Sequence, residues 1–418
     1  MARIMLENIK AATDKMVFLV TLSGFYLSPR HPLVQELFLF TNGFLATSLL
    51  IYSLNYYWGR IEKTGAVAYY LILCADVCVG SSMGYFMKSS VYSMIKGSIW
   101  SHDYESSIIT IKRRELETAR ERDIKMLYKL LVVGIFYMML DVILMAFVEA
   151  RINNDLFLLF PCWIPFDMNQ ISTHISLAIW EIFLVLMVAL CMFGAMGIIC
   201  LFYSHISTEF NILEYAMDKL EERALEMASD YGGFDTRNAE VMKLCYKRCL
   251  CMCVDHHAEI IRYFRNATLF LKVSYFAAFG TGVVIFTFAG FFVISDNYAV
   301  KIKFTLISLA QLFFLYIISL IAEMIVEKHK KVQSHLQYAS SIKSSILLML
   351  SDSNAAGKES MTVREKTFDI NWYDLPMECQ TILVVMRTVS NKPLETKLLS
   401  GQTVDLAGFM SVSKYTYI

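Results

Sequence analysis

Charge is what this sequence has least of. Only 18% of its 418 residues are Asp, Glu, Lys or Arg, and 38 basic side chains cancel 38 acidic ones to a net charge of zero. A soluble globular chain averages about 25% charged and about 45–50% apolar residues, whereas the apolar share here is 56%. With no net positive field, nucleic acid is not an expected partner. Proline is scarce at 6 and glycine stands at 18, which excludes collagen-like and low-complexity chains. The 10 cysteines do not make an extracellular disulfide framework, because only Cys162 falls clearly in a segment assigned below to the outside.

What the chain does have is long apolar runs, and its mean hydropathy is +0.48. A membrane-spanning helix needs about 20 mostly apolar residues, since the hydrocarbon is about 30 Å thick and each residue rises about 1.5 Å. Six segments reach that length: Leu33–Leu54, Ala66–Met87, Leu127–Val148, Leu177–Tyr203, Thr268–Ile294 and Phe304–Val326. Thr403–Ile418 is a shorter seventh candidate, apolar with a polar stripe. The early apolar run Met16–Leu27 lacks a small-residue cleavage site and is not read as a signal peptide. The expected class is an all-α integral membrane protein.

Lys and Arg counted by loop orient it. With the N-terminus inside, the segment before the first span and the second and fourth loops hold 20 of them, against 5 in the three loops on the other side. Positive residues stay cytoplasmic, so the N-terminus is expected there, and seven spans would then leave the C-terminus outside.

The long inner loops read as helix. In His205–Ala228 the apolar residues Ile206, Phe210, Leu213, Met217 and Leu220 recur at helical spacing. Tyr231-Gly232-Gly233 breaks the pattern, and a second helix runs from about Ala239 into the fifth span. Glu327–Met349 likewise extends the sixth span inward, and polar Ser351–Met361 reads as a linker. Together these make a cytoplasmic helical layer suited to contact between subunits. Within it, Cys245, Cys249 and Cys253 with His256 and His257 stack on one face, as metal ligands would. Zinc ligands more often come as tight Cys-x-x-Cys knuckles, so the reading preferred is the buried face of a long helix, with no metal or other cofactor. No nucleophile–base pair or metal box emerges either, so no enzyme is expected.

Several short segments, in order, resemble the insect odorant receptor family. They are Gly24-Phe25-Tyr26, Trp163-Ile164-Pro165-Phe166-Asp167, and Cys253-Val254-Asp255-His256-His257 followed by Ile260-Ile261-Arg262-Tyr263-Phe264. The tail adds Asn371-Trp372-Tyr373-Asp374, Arg387, Lys392-Pro393-Leu394, Gly401, Thr403-Val404-Asp405-Leu406 and Phe409. The resemblance implies an odorant-gated, non-selective cation channel in the plasma membrane of olfactory sensory neurons. It implies a hetero-oligomer, a tetramer with a shared co-receptor subunit, in which this chain is the variable, odorant-binding partner because it lacks the co-receptor's long inner insertion. It also implies that the seventh helix lines a central pore and that cytoplasmic helices anchor the assembly. The expected division is a cytoplasmic arm 1–32, a six-span helical domain 33–350, a cytoplasmic linker 351–371, an anchor region 372–402 and the pore-lining helix 403–418. Residues 327–361 are extra material relative to the family. The tail reaches Ile418 without the family's apolar gate, so no gate residue is carried over.

The tail's own pattern agrees with a pore lining. Asp405, Gly408, Val412 and Tyr415 fall on one face, and Asp405 at the inner end favours cations. A small hydrophobic odorant needs an enclosed apolar cavity with one or two polar anchors, which the family places among spans two, three, four and six. Their outer halves hold Tyr69, Tyr70, Leu73, Cys74 and Val77, then Tyr137, Met138, Asp141, Leu144 and Met145. Trp180, Phe183, Leu184 and Met187 follow, then Leu306, Leu309, Ala310 and Phe313. Three acids lie inside spans, Asp76, Asp141 and Glu181. Burying a charge there is costly, so each is a functional candidate, and Asp141 is the one expected to anchor a ligand. A G-protein-coupled chemoreceptor is the alternative, opposed by the loop charges. A transporter, which would show internal repeats or broken helices, is a weaker one.

Overall fold

The computed structural model describes residues 13–23, 32–96, 104–153, 158–160, 170–230 and 239–292, with parts of 298–323. All regular structure among them is helical: α1 (13–22), α2 (Pro32–Tyr56), α3 (Ile61–Phe86), α4 (Lys88–Lys96) and α5 (Ser107–Asn153). After these come α6 (Ile171–Asp218), α7 (Leu220–Asp230), α8 (Ala239–Phe292) and the short apolar α9 (Phe304–Ile317). The segments Gly24–Tyr26 and Trp163–Asp167 lie outside the described residues. So do the inward extension of the sixth span, the linker, the anchor region, and the pore positions Asp405, Gly408, Val412 and Tyr415.

Among the described residues, five helices are long and apolar enough to cross a membrane, over Leu37–Tyr56, Lys63–Phe86, Ser107–Val148, Ile171–Asp218 and Val241–Gly290. Three of them are far longer than a crossing requires. At 47, 48 and 54 residues, α5, α6 and α8 measure roughly 70, 72 and 81 Å, against about 30 Å of hydrocarbon. The composition of α5 shows where the division falls. Ten charged residues crowd Ser107–Lys125, whereas Leu130–Val148 contains only Asp141. The charged half projects as the basic end of the bundle.

Between α2 and α3 the chain reverses within a few residues. Gly59 sits at φ +90°, a left-handed backbone conformation in which a Cβ would be strained, and the Arg60 N–H closes the turn on the Tyr57 carbonyl at 2.9 Å. α2 then runs back along α3, and α5 runs along α6. The axis of the bundle is α6, whose buried residues extend from Glu181 to Met217. The helix expected over His205–Ala228 is interrupted at Lys219, where α6 ends and α7 begins. Hydrogen bonds from Lys219 N–H to the Tyr215 carbonyl and from Arg223 N–H to the Lys219 carbonyl, both 3.0 Å, carry the chain through the kink.

The kink delivers Arg223 into the basic end, where it is 1% exposed. Its Nη1 donates to the Ala216 carbonyl at 2.9 Å and approaches Cys253 Sγ at 3.4 Å, while its Cζ lies 4.6 Å from the centre of the Tyr104 ring. A guanidinium is suited to this combination of planar stacking and directed donors. Burial pushes the Tyr104 phenol well above its ordinary value, so it remains a donor. It bonds His256 Nδ1, whose Nε2 lies 3.1 Å from Glu209 Oε2. The Cys/His face therefore packs against Arg223, Tyr104 and Glu209, and among the described residues no group of three or more side chains is placed to hold a metal ion.

A second contact ties α7 to α5. Glu226 accepts hydrogen bonds from the Ser107 N–H at 2.8 Å and from the hydroxyls of Ser106 and Ser107, placing a carboxylate at the start of α5, where the helix dipole favours negative charge. Burial works to raise the Glu226 carboxyl, but these hydrogen bonds outweigh it and hold it below the ordinary glutamate value.

Two stability predictions arise. Arg223→Ala leaves the Ala216 carbonyl without its donor and opens a gap beneath Tyr104, so a loss of about 3 kcal/mol is expected. Arg223→Lys should not restore it, because an ammonium cannot stack and fork together. Unchanged thermal melting of the detergent-solubilised Ala variant would refute this. A carboxyl held low in the folded state stabilises it above the unfolded pKa and loses that contribution as pH falls through the folded value. Glu226→Gln should therefore lower the melting temperature at neutral pH, with the gap to the parent closing as pH drops below the ordinary glutamate range. A gap independent of pH would argue against it.

Candidate ligand-binding chamber

A cavity of about 650 Å³ lies between α3, α5, α6 and α9, with Ile285 of α8 behind it. Such a volume falls within the range of small-molecule sites, about 300–1,000 Å³. From α3 come Tyr69, Tyr70, Leu73 and Cys74, and from the outer part of α5 come Tyr137, Met138, Asp141 and Met145. α9 adds Leu306, Leu309 and Phe313. These eleven residues were expected from the sequence, and the structure brings them to one wall. Tyr137, Leu309 and Phe313 sit on the rim, each more than half exposed.

Six expected residues are not on that wall. Val77 turns toward α2, its Cγ1 4.0 Å from where a Cβ would stand on Gly43. Leu144 is 53% exposed on the outside of α5. Phe183 meets the Phe38 ring of α2 edge-on, with centroids 5.6 Å apart. Trp180 packs half-buried against the core, and Leu184 and Met187 lie inside it. Instead, α6 presents Val185, Val188, Met192 and Met196, with Phe193 beside them. One residue along a helix turns the side chain by about 100°, so the stripe through 184 and 187 is turned by that angle from the one through 185 and 188.

The chamber also runs deeper toward the basic end than expected, past Leu127, Leu131 and Gly134 of α5. Ala310 lies outside the described residues. Gln311, not among the expected residues, lines the floor and donates to the Ala278 carbonyl at 3.3 Å. A lone amide in an otherwise apolar span was the signal that could have found it.

Aromatic rings close the other end. Tyr70 meets Phe160 edge-on at 4.6 Å between centroids, Tyr69 meets Phe304 at 5.6 Å, and Phe304 stacks on Phe292 at 4.1 Å. Phe160 belongs to the connection between α5 and α6, which Glu181 holds down. The Glu181 side chain is fully buried, and its Oε2 accepts the Leu159 N–H at 2.8 Å. Of the three acids inside spans, then, Glu181 fastens the cap and Asp141 faces the chamber. Asp76 accepts a hydrogen bond from Thr281 of α8 at 2.6 Å and lies outside the chamber. The methionines in the lining are flexible and polarizable, so the wall adapts to ligand shape.

A family model described as 7tm Odorant receptor matches residues 69–336, which is 268 of the 418 residues. No curated protein matches in sequence. Among solved structures, the insect olfactory receptor OR5 from Machilis hrabei in complex with eugenol aligns at a TM-score of 0.69 and 14% identity, covering 98% of this chain and 96% of its own. A second structure of that receptor aligns at 0.68 and 13%, covering 100% and 96%. At such identity the likeness is one of fold.

Gly134 tests the chamber wall. A Cβ there would stand 2.7 Å from Phe193 Cε1 and 2.8 Å from its Cζ, so the ring must tip into the cavity. Gly134→Ala should weaken binding of bulky apolar ligands by roughly tenfold, since each 1.4 kcal/mol of lost fit is tenfold in affinity, while compact ligands are retained. Equal effects on large and small ligands would show that Phe193 does not shape the cavity.

Proposed function

The chain belongs to the 7tm odorant receptor family, and on that footing we propose that it is the odorant-binding subunit of a ligand-gated, non-selective cation channel. The observation that supports this best is the aromatic and methionine-lined chamber among α3, α5, α6 and α9. A small hydrophobic volatile would gain affinity there chiefly by leaving water, at roughly 25 cal/mol per Å² of apolar surface buried. The chamber residues named above would make the apolar contacts, with Asp141 as polar anchor for an alcohol, ester or aldehyde.

In this reading the chain crosses the plasma membrane of an olfactory sensory neuron seven times with its N-terminus in the cytoplasm, as the loop charges favour. It assembles with a co-receptor subunit into a tetramer. The helix 403–418 lines the conduit, with Asp405, Gly408, Val412 and Tyr415 on its wet face. The long charged ends of α5 and α8, with the end of α6 between them, supply the layer through which subunits meet. Ligand binding would open the pore by favouring an arrangement of the helices that binds it better. No observation favours a G-protein-coupled reading.

Whole-cell recording from cells expressing the chain with and without the co-receptor, screened against volatiles, tests the proposal. Odorant-evoked cation currents are expected with the co-receptor. Val188→Trp, which fills the chamber from α6, should abolish them for most odorants, and Asp141→Asn should reorder agonist potency. Currents that persist unchanged in the Trp variant would place the ligand elsewhere. Signals carried by second messengers with no channel current would overturn the mechanism.

A further inference from the structure

Beside the chamber lies a second, smaller cavity of about 80 Å³, between α3, α6 and α8. The two share three wall residues, Met192, Met196 and Gln311. Two are flexible methionines and the third is held to Ala278 by one long hydrogen bond of 3.3 Å, so the partition is made of side chains that can swing aside. Both spaces are lined mostly by carbon, but the small one adds Asp76, Thr281 and Ser274 to its wall.

These groups are incompletely satisfied. Thr281 Oγ1 donates to Asp76 Oδ2 at 2.6 Å. The Ser274 hydroxyl is buried without a hydrogen-bond partner. A buried polar atom left unmatched costs about 1–3 kcal/mol, so the cavity favours an occupant that accepts from Ser274 and donates to Asp76. A hydroxyl group does both at once, an ether oxygen only accepts and a hydrocarbon does neither. The space is well above what one water molecule needs.

We propose that the pocket walled by Asp76, Thr281 and Ser274 is a hydroxyl-binding subsite of the chamber, selecting odorants that carry a terminal alcohol on an apolar body. The body fills the space between α5 and α9, and the alcohol passes between Met192, Met196 and Gln311 to meet the carboxyl. This rests on the chamber being the odorant site. It assigns Asp76, rather than Asp141 alone, to the recognition of polar groups.

Straight-chain primary alcohols and their methyl ethers, offered to the purified full-length chain in lipid nanodiscs, test the subsite. Saturable binding is read by ligand-observed NMR competition. The parent should prefer each alcohol over its ether by roughly five- to tenfold, the size of one or two hydrogen bonds. Ser274→Ala removes a donor that both an alcohol and an ether can use, so it should weaken both series by a similar factor and leave the preference in place. Asp76→Asn, which offers an N–H to the ether oxygen, should move the preference toward ethers. Equal affinity of the parent for both series means that water alone fills the pocket and overturns the subsite. An undiminished alcohol preference in Asp76→Asn overturns it too. The chamber itself has a separate control. If Val188→Trp leaves both series binding as before, the odorant site lies elsewhere and the subsite falls with it.

Discussion

An apolar helix about 72 Å long cannot be covered by about 30 Å of hydrocarbon, so the part of α6 beyond the membrane has to be covered by protein. The rest of the architecture answers that requirement. The basic halves of α5 and α8 run past the expected span boundaries, and α7 folds back along α8. Together they enclose Ile206, Phe210, Leu213 and Met217 of α6 almost completely. Covering these residues buries polar groups with them, and each needs a partner inside. The Arg223–Tyr104 stack, the Tyr104–His256 bond and the His256–Glu209 contact supply partners for some of them, while among the described residues both ring nitrogens of buried His205 find none.

Within the apolar region, three acids of the same kind meet three different fates. Glu181 is spent on backbone, pinning Leu159 and with it the Phe160 ring over the chamber. Asp141 lines the chamber itself. Asp76 joins α3 to α8 through Thr281 and lines the smaller cavity. The cost of placing a carboxyl in a membrane singles out all three, but only the partner distinguishes fastener from recognition element. For Glu181 the partner is a backbone amide in a loop 22 residues away, which no residue pattern announces.

The same physics explains what could be read from the sequence. Span positions were legible because a bilayer imposes a length and a composition, and the described helices contain nearly all of the first five expected segments and the first part of the sixth. On α3, Tyr69, Tyr70, Leu73 and Cys74 line the chamber where the family resemblance placed them, whereas Val77, one turn on, turns toward α2. On α5, Asp141 marks the face. α6 had no such mark. Its residues from Trp180 to Met196 are apolar on every side apart from Glu181, so no periodicity distinguishes a chamber wall at Val185 and Val188 from a core contact at Leu184 and Met187. The helix most completely enclosed by protein is thus the one whose register the sequence hides. The Cys/His face of α8 misleads in the other direction. Its spacing suits a metal, yet its side chains are engaged with Arg223, Tyr104 and Glu209, residues far off in the chain.

Two kinds of wall give a receptor two kinds of selectivity. An apolar surface separates ligands that differ by a methylene by only about 1–3 kcal/mol and rejects an added hydroxyl weakly, whereas a site built to hydrogen-bond a hydroxyl rejects the analogue that lacks it far more strongly. The asymmetry arises because the missing partner leaves buried polar atoms unmatched. Methionines 138, 145, 192 and 196 make the large chamber tolerant of shape. Asp76 and Ser274 make the small one intolerant of a wrong functional group. Placing them on either side of a partition made of Met192, Met196 and Gln311 separates the two tasks, so that the width of the odorant spectrum and its chemical class can be set by different residues of one site.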